Sequence, residues 1–523
     1  MSNRDHIYHS ECAQTIRCLS FVFIALLSVP LTSLSRNVEI TLVHTTDLHG
    51  HIWPTVDYDG NDDLGGILRC ASKIESIREE KSNVLLIDCG DSYQGSPESY
   101  LSEGKLIVDA FNVLDYDAWV LGNHEFDWGT TILGKRHDQV TGPFLAANLY
   151  FMSPSENWLP KIQPYIIREV EGVKIAIIGL VTPGVPRWSR PQLLDHALFK
   201  RSIETLENLW PEIEAEKPDV IVLATHQGYK HRGDDFANEI EAISKSFPEI
   251  DVIIGGHTHQ PIQEMKYGNV LFTQAGYHGI WLGEVNLQYD TVKGAVIEKS
   301  GTLHLMDQSI PYHEGLLQIW NQTLNAANEV LTNIIGVVKE PLDAKPDRLG
   351  LSSMQQFLCR AIADGVDADF VLHGSLADKS IPAGEISYRD VWNIVPYENT
   401  IGVISITPSQ IRSVLEENFS RRLYHYSLGP YGFSFDLEKN NHKVEIKKIR
   451  NSSGDALHAR KKYRVAFNSY VLASGGERYM AVRHLADMPE SRLEMLLVDT
   501  RGLVVELLKS NMRELEDVAI DEE

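Results

Sequence analysis

The sequence predicts an α/β fold divided among two or three domains, and three observations support this fold class. Apolar residues make up 43% and charged residues 23% of the 523 residues, so the chain can bury several cores. Between residues 37 and 305, short apolar runs alternate with helical patterns. A long helical pattern begins at residue 314, and mixed helical and strand-like segments follow it to residue 515.

The first 35 residues have the pattern of a secretory signal. Arg4 and Arg17 precede an apolar run over residues 19–31, and the small residues Ser33 and Ser35 follow it. The run is shorter than the stretch of about 20 residues that a membrane-spanning helix needs. We therefore predict export to the periplasm or the exterior, without stable membrane insertion once the leader is removed. An uncleaved leader that anchors the chain in a membrane is the alternative.

The charge balance limits the partners of the chain. It has 48 basic and 72 acidic residues and a net charge of −24. A chain this acidic has no general attraction for nucleic acid, so no nucleic acid polymer is expected as a partner. If the substrate is an anion, the positive charge that binds it must be local, and bound metal can supply it.

Apolar runs in the first region predict strands that are covered on both faces, and the residues between them predict helices. The runs are residues 38–43, 84–88, 173–179, 220–224 and 252–254. Helical spacing relates Ile67, Ala71, Ile74 and Ile77, and it also relates Phe236, Ile240 and Ile243. This alternation is typical of layered α/β structure.

A single long helix from Glu314 to about Ile334 is predicted as a connector, because the stretch 316–335 contains no Gly or Pro. Beyond it we expect helices over residues 353–364 and 408–418 and strands over residues 400–407 and 463–468. The expected division is a leader (1–35), a catalytic domain (36–310), a connecting helix (311–335) and a C-terminal domain (336–515).

Five strand-like runs of the first region end in a carboxylate, an amide or an imidazole. In an open α/β sheet, ligands bind at the carboxyl ends of the strands, so these side chains are expected to converge there. A single histidine after a strand is more often a structural hydrogen-bonding group than a ligand, and a single aspartate there is often a helix cap. Five strand ends with the same kinds of residue are, however, hard to explain by chance. The residues are Asp47, His49, Asp91, Asn123, His226, His257 and His259.

These residue types predict a metal centre. Two carboxylates, one amide and four imidazoles without a thiolate suit Zn, Mn, Fe or Co, with Mg as a further candidate, and disfavour Cu(I). Seven side chains are too many for one tetrahedral ion, but they fit two divalent ions if one carboxylate bridges them. Two such ions hold phosphoryl oxygens and activate water near neutral pH, so the set indicates phosphoryl-transfer chemistry.

Two further residues are predicted to be catalytic. His124 follows Asn123 and can donate a proton to a leaving-group oxygen as a general acid. Asp127, three residues later, can orient that imidazole and stabilise its protonated form. The nearby polar residues Asp88, His44, His51 and His231 are expected to be structural.

These blocks resemble the calcineurin-like metallophosphoesterases over residues 38–305. The motifs are Asp47-x-His49, Gly90-Asp91, Gly122-Asn123-His124-Glu125, His226 and Gly256-His257-x-His259, and their extended forms are similar to the 5′-nucleotidase / UDP-sugar hydrolase branch. The resemblance implies a sandwich of two mixed β-sheets flanked by helices. It also implies one ion held by Asp47, His49, Asp91 and His259, and another held by Asp91, Asn123, His226 and His257.

The second region resembles the substrate-recognition domain of the same branch, which implies an α+β domain that binds substrate. The similar segments are residues 381–391, 395–400 and 468–476. The resemblance implies that Tyr470 stacks on a nucleobase, since its ring offers a flat face. A second aromatic wall is expected from Tyr424 or Tyr426, and the choice between them stays open.

The second region also departs from the branch at three positions. His373 stands where the branch usually has Asn, Asp378 where it has Arg, and Glu477 where it has Asp. His373 and Glu477 are expected to bind substrate together with Tyr470. Replacing a five-donor cation by a carboxylate at position 378 reverses the local charge of the expected nucleotide pocket.

These observations together predict an exported dinuclear-metal phosphohydrolase that acts on a small phosphate ester, with a nucleotide as the leading candidate. The altered pocket keeps a phosphodiester, a nucleotide-sugar, a sugar phosphate or a sulfur-containing ester open as alternative substrates. A metal-stabilised binding protein without activity is the remaining alternative. The sequence gives no prediction of the oligomeric state.

Overall fold

The apolar runs of the first region form the strands of two six-stranded sheets. The structure, a computed structural model, describes residues 37–151, 162–189, 191–420, 427–440, 443–474 and 478–521. The predicted leader, residues 1–35, lies outside the described residues.

The first region contains fourteen described strands and eight described helices. The strands are β1 (Asn37–Thr45), β2 (Val84–Asp88), β3 (Ala118–Val120), β4 (Phe144–Leu145), β5 (Leu149–Phe151), β6 (Tyr165–Val170), β7 (Val173–Leu180), β8 (Ala197–Phe199), β9 (Val220–Thr225), β10 (Val252–Gly255), β11 (Pro261–Tyr267), β12 (Val270–Ala275), β13 (Trp281–Asp290) and β14 (Ala295–Leu305). The helices are α1 (Ile67–Glu80), α2 (Pro97–Leu101), α3 (Lys105–Val113), α4 (Gly129–His137), α5 (Val185–Trp188), α6 (Pro191–Leu194), α7 (Ser202–Glu216) and α8 (Ile240–Ser246).

The two sheets are mixed and pack face to face. Their strand orders are β14-β13-β1-β2-β3-β4 and β11-β12-β10-β9-β7-β6. Alternate residues of facing strands, including Ile40 and Leu42 of β1 and Ile175 and Ile177 of β7, are fully buried in one cluster between the sheets. The parallel pairs β1/β2, β2/β3, β7/β9 and β9/β10 end at the same edge of their sheet. The implied β-sandwich is therefore confirmed.

One helical prediction of the first region is wrong at its start. Helix α1 buries Ile67, Ala71, Ile74 and Ile77 as predicted, but α8 begins only at Ile240. Asp234 accepts hydrogen bonds from the backbone N–H groups of residues 241 and 242 at 3.1 and 2.7 Å, so the first turn is capped by a side chain from the preceding loop. Phe236 lies in that loop, and the guanidinium of Arg187 is 3.8 Å from the centre of its ring.

The long helix α9 (Glu314–Leu331) ends three residues before the predicted limit. His313 caps its start, because the Nδ1 atom accepts a hydrogen bond from the backbone N–H of Leu316 at 3.0 Å. Ile334 already belongs to the next strand. Leu316 and Trp320 are fully buried in the core of the first region, so the predicted connector packs along the sandwich.

The second region contains nine described strands and six described helices. Its strands are β15 (Ile334–Val338), β16 (Phe370–His373), β17 (Gly384–Ser387), β18 (Thr400–Ile406), β19 (Gly429–Tyr431), β20 (Phe433–Asn440), β21 (Lys443–Asn451), β22 (Tyr463–Asn468) and β23 (Glu494–Asp499). Its helices are α10 (Ser353–Gly365), α11 (Tyr388–Ile394), α12 (Pro408–Ser420), α13 (Ser469–Leu472), α14 (Met480–Ala486) and α15 (Thr500–Asp521). The helices predicted over 353–364 and 408–418 and the strands predicted over 400–407 and 463–468 are confirmed.

The central sheet of the second region has the strand order β19-β16-β22-β18-β23. Helices α10 and α15 pack on one face, where Leu358, Ile362 and Val504 are buried against Val403. Helix α12 packs on the other face, where Ile411 and Leu415 are buried with residues of β18 and β22. None of the helices within the described part of the chain has the length and apolar character needed to span a membrane.

Candidate metal centre

Six of the seven predicted ligands form two adjoining groups at the carboxyl ends of the strands. One group contains Asp47, His49 and His259, and the other contains Asp91, His226 and His257. Within each group, one nitrogen or oxygen atom of every member lies within 4.8 Å of the others. Each group therefore has the residue types and the spacing that a divalent cation requires.

The carboxylate of Asp91 lies between the two groups. Its Oδ2 atom is 3.0 Å from Nε2 of His226 and 4.0 Å from Nε2 of His49. On the other side, Oδ1 of Asp47 is 3.3 Å from Nε2 of His259 and 4.0 Å from Nε2 of His226. Both carboxylates thus lie within 4.0 Å of an imidazole of each group, as a bridging ligand must, and the family resemblance implies that Asp91 is the bridge.

The seventh predicted ligand, Asn123, lies beside the same carboxylate. Its chain neighbour His124 donates its backbone N–H to Oδ1 of Asp91 at 2.7 Å. The side-chain Oδ1 atom of Asn123 is buried and has no hydrogen-bond partner. A buried oxygen without a partner is costly unless another group, such as a cation, satisfies it. The donor set therefore fits the metal ions that its residue types predict.

The imidazole rings are oriented by hydrogen bonds on their far sides. His49 Nδ1 is 3.0 Å from the carbonyl oxygen of Gln94, and His226 Nδ1 is 2.7 Å from that of Cys89. Because a carbonyl oxygen only accepts, each Nδ1 carries a proton, and each Nε2 is the ring atom that faces the centre and can ligate a cation when it is deprotonated. The Nε2 atoms of His49 and His259 are 3.1 Å apart, so two ring nitrogens meet at one point of the centre.

Five of the predicted ligands have a left-handed backbone. The φ angles of Asp47, His49, Asp91, His257 and His259 lie between 47° and 70°. Residues other than glycine adopt this conformation at a cost of order 1–3 kcal/mol, and such residues cluster at active sites. The conformation turns each chain sharply at the end of its strand, so that consecutive loops approach closely. A Cβ atom on Gly122 would lie 2.3 Å from Oδ1 of Asp91, which explains the glycine before Asn123.

Burial and neighbouring charges set the protonation of the group. Burial lowers the pKa of His49 and of His257 to about 3, so both rings are neutral and able to ligate. Burial raises the pKa of Asp91, but the charges of His226 and His124 outweigh it and hold this pKa well below its usual value. Burial lowers the pKa of His226, but the carboxylates of Asp91 and Asp47 raise it to about 9. The two carboxylates thus favour positive charge in the centre, and a bound cation would supply that charge.

The predicted acid His124 and its partner Asp127 form a close pair at the edge of the centre. Nδ1 of His124 is 2.6 Å from Oδ2 of Asp127, and its Nε2 is 4.0 Å from Oδ2 of Asp91. Burial lowers the pKa of His124, but Asp127 and Asp91 outweigh this effect and raise it to about 10. The side chain is 35% exposed, so a protonated Nε2 can meet a bound molecule.

Sequence reasoning gave no role to Glu125, although it lies within the Asn-His-Glu block. Its buried carboxylate accepts hydrogen bonds from the backbone N–H groups of Asp91, Ser92 and Gly122 at 2.9, 2.7 and 2.7 Å. It therefore joins the loops that follow β2 and β3. Burial raises the pKa of Glu125 to about 7.

Two more neighbours of the centre, Tyr58 and His278, were also missed. The hydroxyl of Tyr58 is 2.7 Å from Nδ1 of His259. The ring of His278 packs edge-on against His49, with 5.8 Å between ring centres. Both residues come from loops without an apolar pattern, and no spacing in the sequence relates them to the ligands.

None of the four residues expected to be structural belongs to either group of ligand atoms, and three of them have defined contacts. His44 is fully buried, and burial lowers its pKa to about 3. His51 stacks on His278 with 3.7 Å between ring centres. Asp88 accepts hydrogen bonds from the hydroxyl of Thr45 at 2.7 Å and the backbone N–H of Gly90 at 2.9 Å, and its pKa is raised by burial to about 8.

The predicted substrate-binding residues have different environments. Tyr470 lies in the first turn of α13, and its side chain is 41% exposed. His373 is fully buried at the end of β16, with Nε2 3.2 Å from the side-chain nitrogen of Asn468. In this arrangement His373 can affect a substrate only through its neighbours. Asp378 is exposed. Glu477, Tyr424 and Tyr426 lie outside the described residues.

Comparison with known proteins identifies both regions. Residues 40–261 match the family of calcineurin-like phosphoesterases, and residues 334–484 match the 5′-nucleotidase C-terminal domain. The chain is 26% identical to the protein UshA of Yersinia enterocolitica, over 85% of this chain and 87% of that protein. It is 28% identical to the trifunctional nucleotide phosphoesterase protein YfkN of Bacillus subtilis over 84% of this chain, but it spans only 32% of that protein.

A solved structure shares the fold over nearly the whole chain. It is that of a 5′-nucleotidase precursor from Thermus thermophilus, with a TM-score of 0.67 and 22% identity over 90% of this chain and 96% of that chain. At this identity the similarity supports the fold alone. The two family matches together include all seven predicted ligands and four of the five strands of the C-terminal sheet, since only β23 lies beyond residue 484. The chain therefore belongs to the calcineurin-like phosphoesterases, metal-dependent hydrolases of phosphate esters, and to the branch that carries a 5′-nucleotidase C-terminal domain.

Proposed function

We propose that this chain is an exported nucleotidase that removes phosphate from small nucleotides with the help of two divalent cations. The observation that carries the proposal is the position of Asp91 between two groups of ligand atoms, with His124 at the open edge. Both features suit the hydrolysis of a phosphate ester.

The ligand assignment follows the two groups. Asp47, His49, Asp91 and His259 would hold one ion. The other would be held by Asp91, Asn123, His226 and His257. Bound there, a pair of Zn, Mn, Fe, Co or Mg ions would neutralise phosphoryl oxygens and lower the pKa of a water molecule.

The protein groups at the edge would complete the reaction. As the bond between phosphorus and the leaving-group oxygen breaks and a water oxygen takes its place, that leaving oxygen would receive the proton from Nε2 of His124. Asp127 would hold Nδ1 and keep the ring protonated before transfer. A metal-stabilised binding protein without activity would not need this pair, because neither His124 nor Asp127 is needed to retain metal.

The nucleotide as substrate is supported by Tyr470 and by the relatives. The exposed ring of Tyr470 offers a stacking face, and the YfkN relative is described as a nucleotide phosphoesterase. The exposed carboxylate of Asp378, where the branch usually has Arg, favours a second candidate. This candidate is the same reaction on a phosphodiester, a nucleotide-sugar or a sugar phosphate.

A substrate panel tests the proposal. The purified chain, supplied with Mn²⁺ or Zn²⁺, would be assayed for phosphate release from nucleoside monophosphates and a sugar phosphate. Nucleotide-sugars and a generic phosphodiester would be assayed for release of their monoester or alcohol products, because their hydrolysis releases no free phosphate in a single step. Turnover of nucleotides at least tenfold above the other esters would support the nucleotidase. Failure with every ester would contradict the proposed chemistry.

The variant Asp378→Arg distinguishes the two candidates. It should raise nucleotide turnover if position 378 faces the nucleotide, whereas the neighbouring exposed substitution Lys379→Arg should not. Unchanged nucleotide turnover in Asp378→Arg would show that position 378 does not contact the nucleotide. Export is tested separately by the N-terminal sequence of the secreted product, which should begin near residue 36.

A further inference from the structure

The carboxylate of Glu398 joins the C-terminal region to the loops of the metal centre. Its Oε2 atom accepts hydrogen bonds from Nε2 of Gln94 and from Nε1 of Trp128, both at 3.0 Å. Gln94 lies in the loop after β2, three residues beyond Asp91, and Trp128 follows Asp127. Glu398 therefore contacts the two loops that carry Asp91 and the pair His124 and Asp127.

The peptide of Gln94 and Gly95 in turn supports the predicted ligand His49. The carbonyl oxygen of Gln94 accepts the hydrogen bond from Nδ1 of His49 at 3.0 Å. A Cβ atom on Gly95 would lie 2.5 Å from the carbonyl oxygen of His49 and 2.8 Å from its Cβ atom, so this backbone packs directly on the ligand. Any displacement of the peptide would move the ring of His49.

A second side chain of the C-terminal region holds the same peptide. Nε1 of Trp392, on helix α11, donates to the carbonyl oxygen of Gly95 at 3.3 Å. Glu398 and Trp392 thus hold the side chain of Gln94 and the backbone of Gly95 from one side, while His49 lies on the other.

The two C-terminal side chains are themselves fixed by Arg501. Its guanidinium lies 3.4 Å from the centre of the Trp392 ring and donates through Nη1 to Oε1 of Glu398 at 3.1 Å. Its Nε donates to the carbonyl oxygen of Val395 at 2.9 Å. The side chains of Arg501 and Glu398 are only 4% and 12% exposed, so this ion pair has a defined geometry.

We infer that Glu398 is a positioning residue that orients the metal ligand His49 through Gln94, so that docking of the C-terminal region completes the metal centre. The inference rests on the proposed metal role of His49, and it adds a dependence of metal binding on the other region. A hydrogen-bonded partner behind a metal-bound imidazole fixes the ring orientation and raises its basicity. Here that partner, the carbonyl of Gln94, is held in place by Glu398.

General stabilisation of the interface is the competing explanation, and the chain offers a matched control for it. Arg389 on α11 donates to Oε1 of Glu98 at 3.1 Å, and this ion pair also joins the two regions. Neither residue has a described hydrogen bond to a ligand or to the residue behind one. Arg389→Ala removes an inter-region contact while the support of His49 stays intact.

The test measures the affinity of the full chain for Mn²⁺ by calorimetry and follows Co²⁺ binding by its visible absorption. We expect Glu398→Ala to weaken one of the two binding events by about 10–100-fold, with an altered Co²⁺ spectrum for that event. Gln94→Ala should have the same effect. Because the two residues share one hydrogen bond, the double variant should be no worse than either single variant. Arg389→Ala should leave both affinities within about twofold of the unmodified chain.

Two results would overturn the inference. One is unchanged affinity for both ions in Glu398→Ala, and the other is an equal loss in Arg389→Ala. If Glu398→Ala fails to fold by circular dichroism, Glu398→Gln keeps one acceptor, and its affinity should fall between those of the unmodified chain and Gln94→Ala. An affinity equal to that of the unmodified chain would then overturn the inference. Failure of the proposed function would look different, because the unmodified chain itself would then bind fewer than two ions or release no phosphate.

Discussion

The hydroxyl of Tyr58 lies 2.7 Å from Nδ1 of His259, and its ring stacks on Tyr277 with 4.2 Å between ring centres. The ring position is fixed further because the backbone N–H of Tyr58 donates to the hydroxyl of Tyr277 at 2.9 Å. Although Tyr58 is 64% exposed, it thus occupies the position from which a hydrogen-bond partner orients a metal-binding imidazole.

Removal of this hydroxyl should weaken metal binding. Tyr58→Phe keeps the stacked ring but removes the group that contacts His259, so we expect about a tenfold loss of Mn²⁺ affinity at one of the two sites. Calorimetric titration with Mn²⁺ measures this loss. Tyr150→Phe, which changes an exposed tyrosine on β5, is the control and should not alter the affinity. Equal affinities in all three proteins would contradict the role of Tyr58.

Asp91 should affect both ions at once, because its carboxylate lies between the two groups. Asp91→Asn should lower the metal content below one ion per chain. Chelation should destabilise the unmodified chain, since a ligand present at a hundred times its Kd stabilises the folded state by about 2.7 kcal/mol. Thermal unfolding with and without chelator, together with elemental analysis, measures both effects. Asp115→Asn is a matched control, because Asp115 is exposed and has the same left-handed backbone, with a φ of 53°.

The pair of His124 and Asp127 predicts the pH dependence of turnover. Burial lowers the pKa of His124 and Asp127 raises it, so removal of the carboxylate charge in Asp127→Asn should lower this pKa. Because the acid must be protonated to donate, the alkaline limb of the kcat profile should move to lower pH. At neutral pH, kcat should fall by about 10²-fold or more, within the range for a positioned acid. Asp364→Asn, on the surface of α10, is the control and should leave the profile unchanged. If the alkaline limb does not move in Asp127→Asn, His124 is not the general acid.

Glu284 on β13 predicts an acid-sensitive contribution to stability away from the metal centre. Its hydrogen bond to His304, at 2.8 Å, and its bond to Lys81 outweigh burial and lower the pKa of Glu284 below its usual value. The carboxylate therefore stabilises the fold above the unfolded-state pKa of about 4.3, and this contribution is lost as the pH falls through the lower folded-state pKa.

Glu284→Gln should reduce the free energy of unfolding by about 1–2 kcal/mol at pH 7. The difference from the unmodified chain should stay constant down to about pH 5 and shrink below about pH 4, in urea unfolding curves measured across this range. Glu298→Gln, an exposed substitution on the neighbouring strand β14, should show no such difference. A difference that persists unchanged at low pH would show that shape, not charge, accounts for the loss.

The sequence was informative where chemistry and periodicity restrict the residue type. Buried strands need nearly continuous apolar runs, and metal ligands need imidazole, carboxylate or amide groups, so β1, β2, β9 and β10 and the residues after them could be recognised together. The ends of elements were harder. Phe236 fits the helical spacing of α8, but the side chain of Asp234 caps the helix from outside and leaves Phe236 in a loop.

Contacts between loops could not be predicted in the same way. Tyr58, Glu125 and Glu398 hold ligands or their loops in place, yet each acts on a group that is distant in sequence or on backbone N–H groups of another loop. Such contacts depend on how the loops are arranged in space. The local sequence around a tyrosine or glutamate that makes such a contact does not distinguish it from one that makes none. The three predicted substrate residues illustrate the same limit, because only the structure distinguishes the exposed Tyr470 from the buried His373.

The left-handed backbone at Asp47, His49, Asp91, His257 and His259 has a consequence for the evolution of such centres. Aspartate, histidine and asparagine are the residues other than glycine that tolerate this conformation best, and they are also good ligands for divalent cations. Backbone conformation and metal coordination thus favour the same few residue types at these positions. Replacement of one of these ligands by a β-branched residue would remove both the turn and the metal-binding atom. Exchange among aspartate, histidine and asparagine would preserve the turn and change only which metal the site prefers.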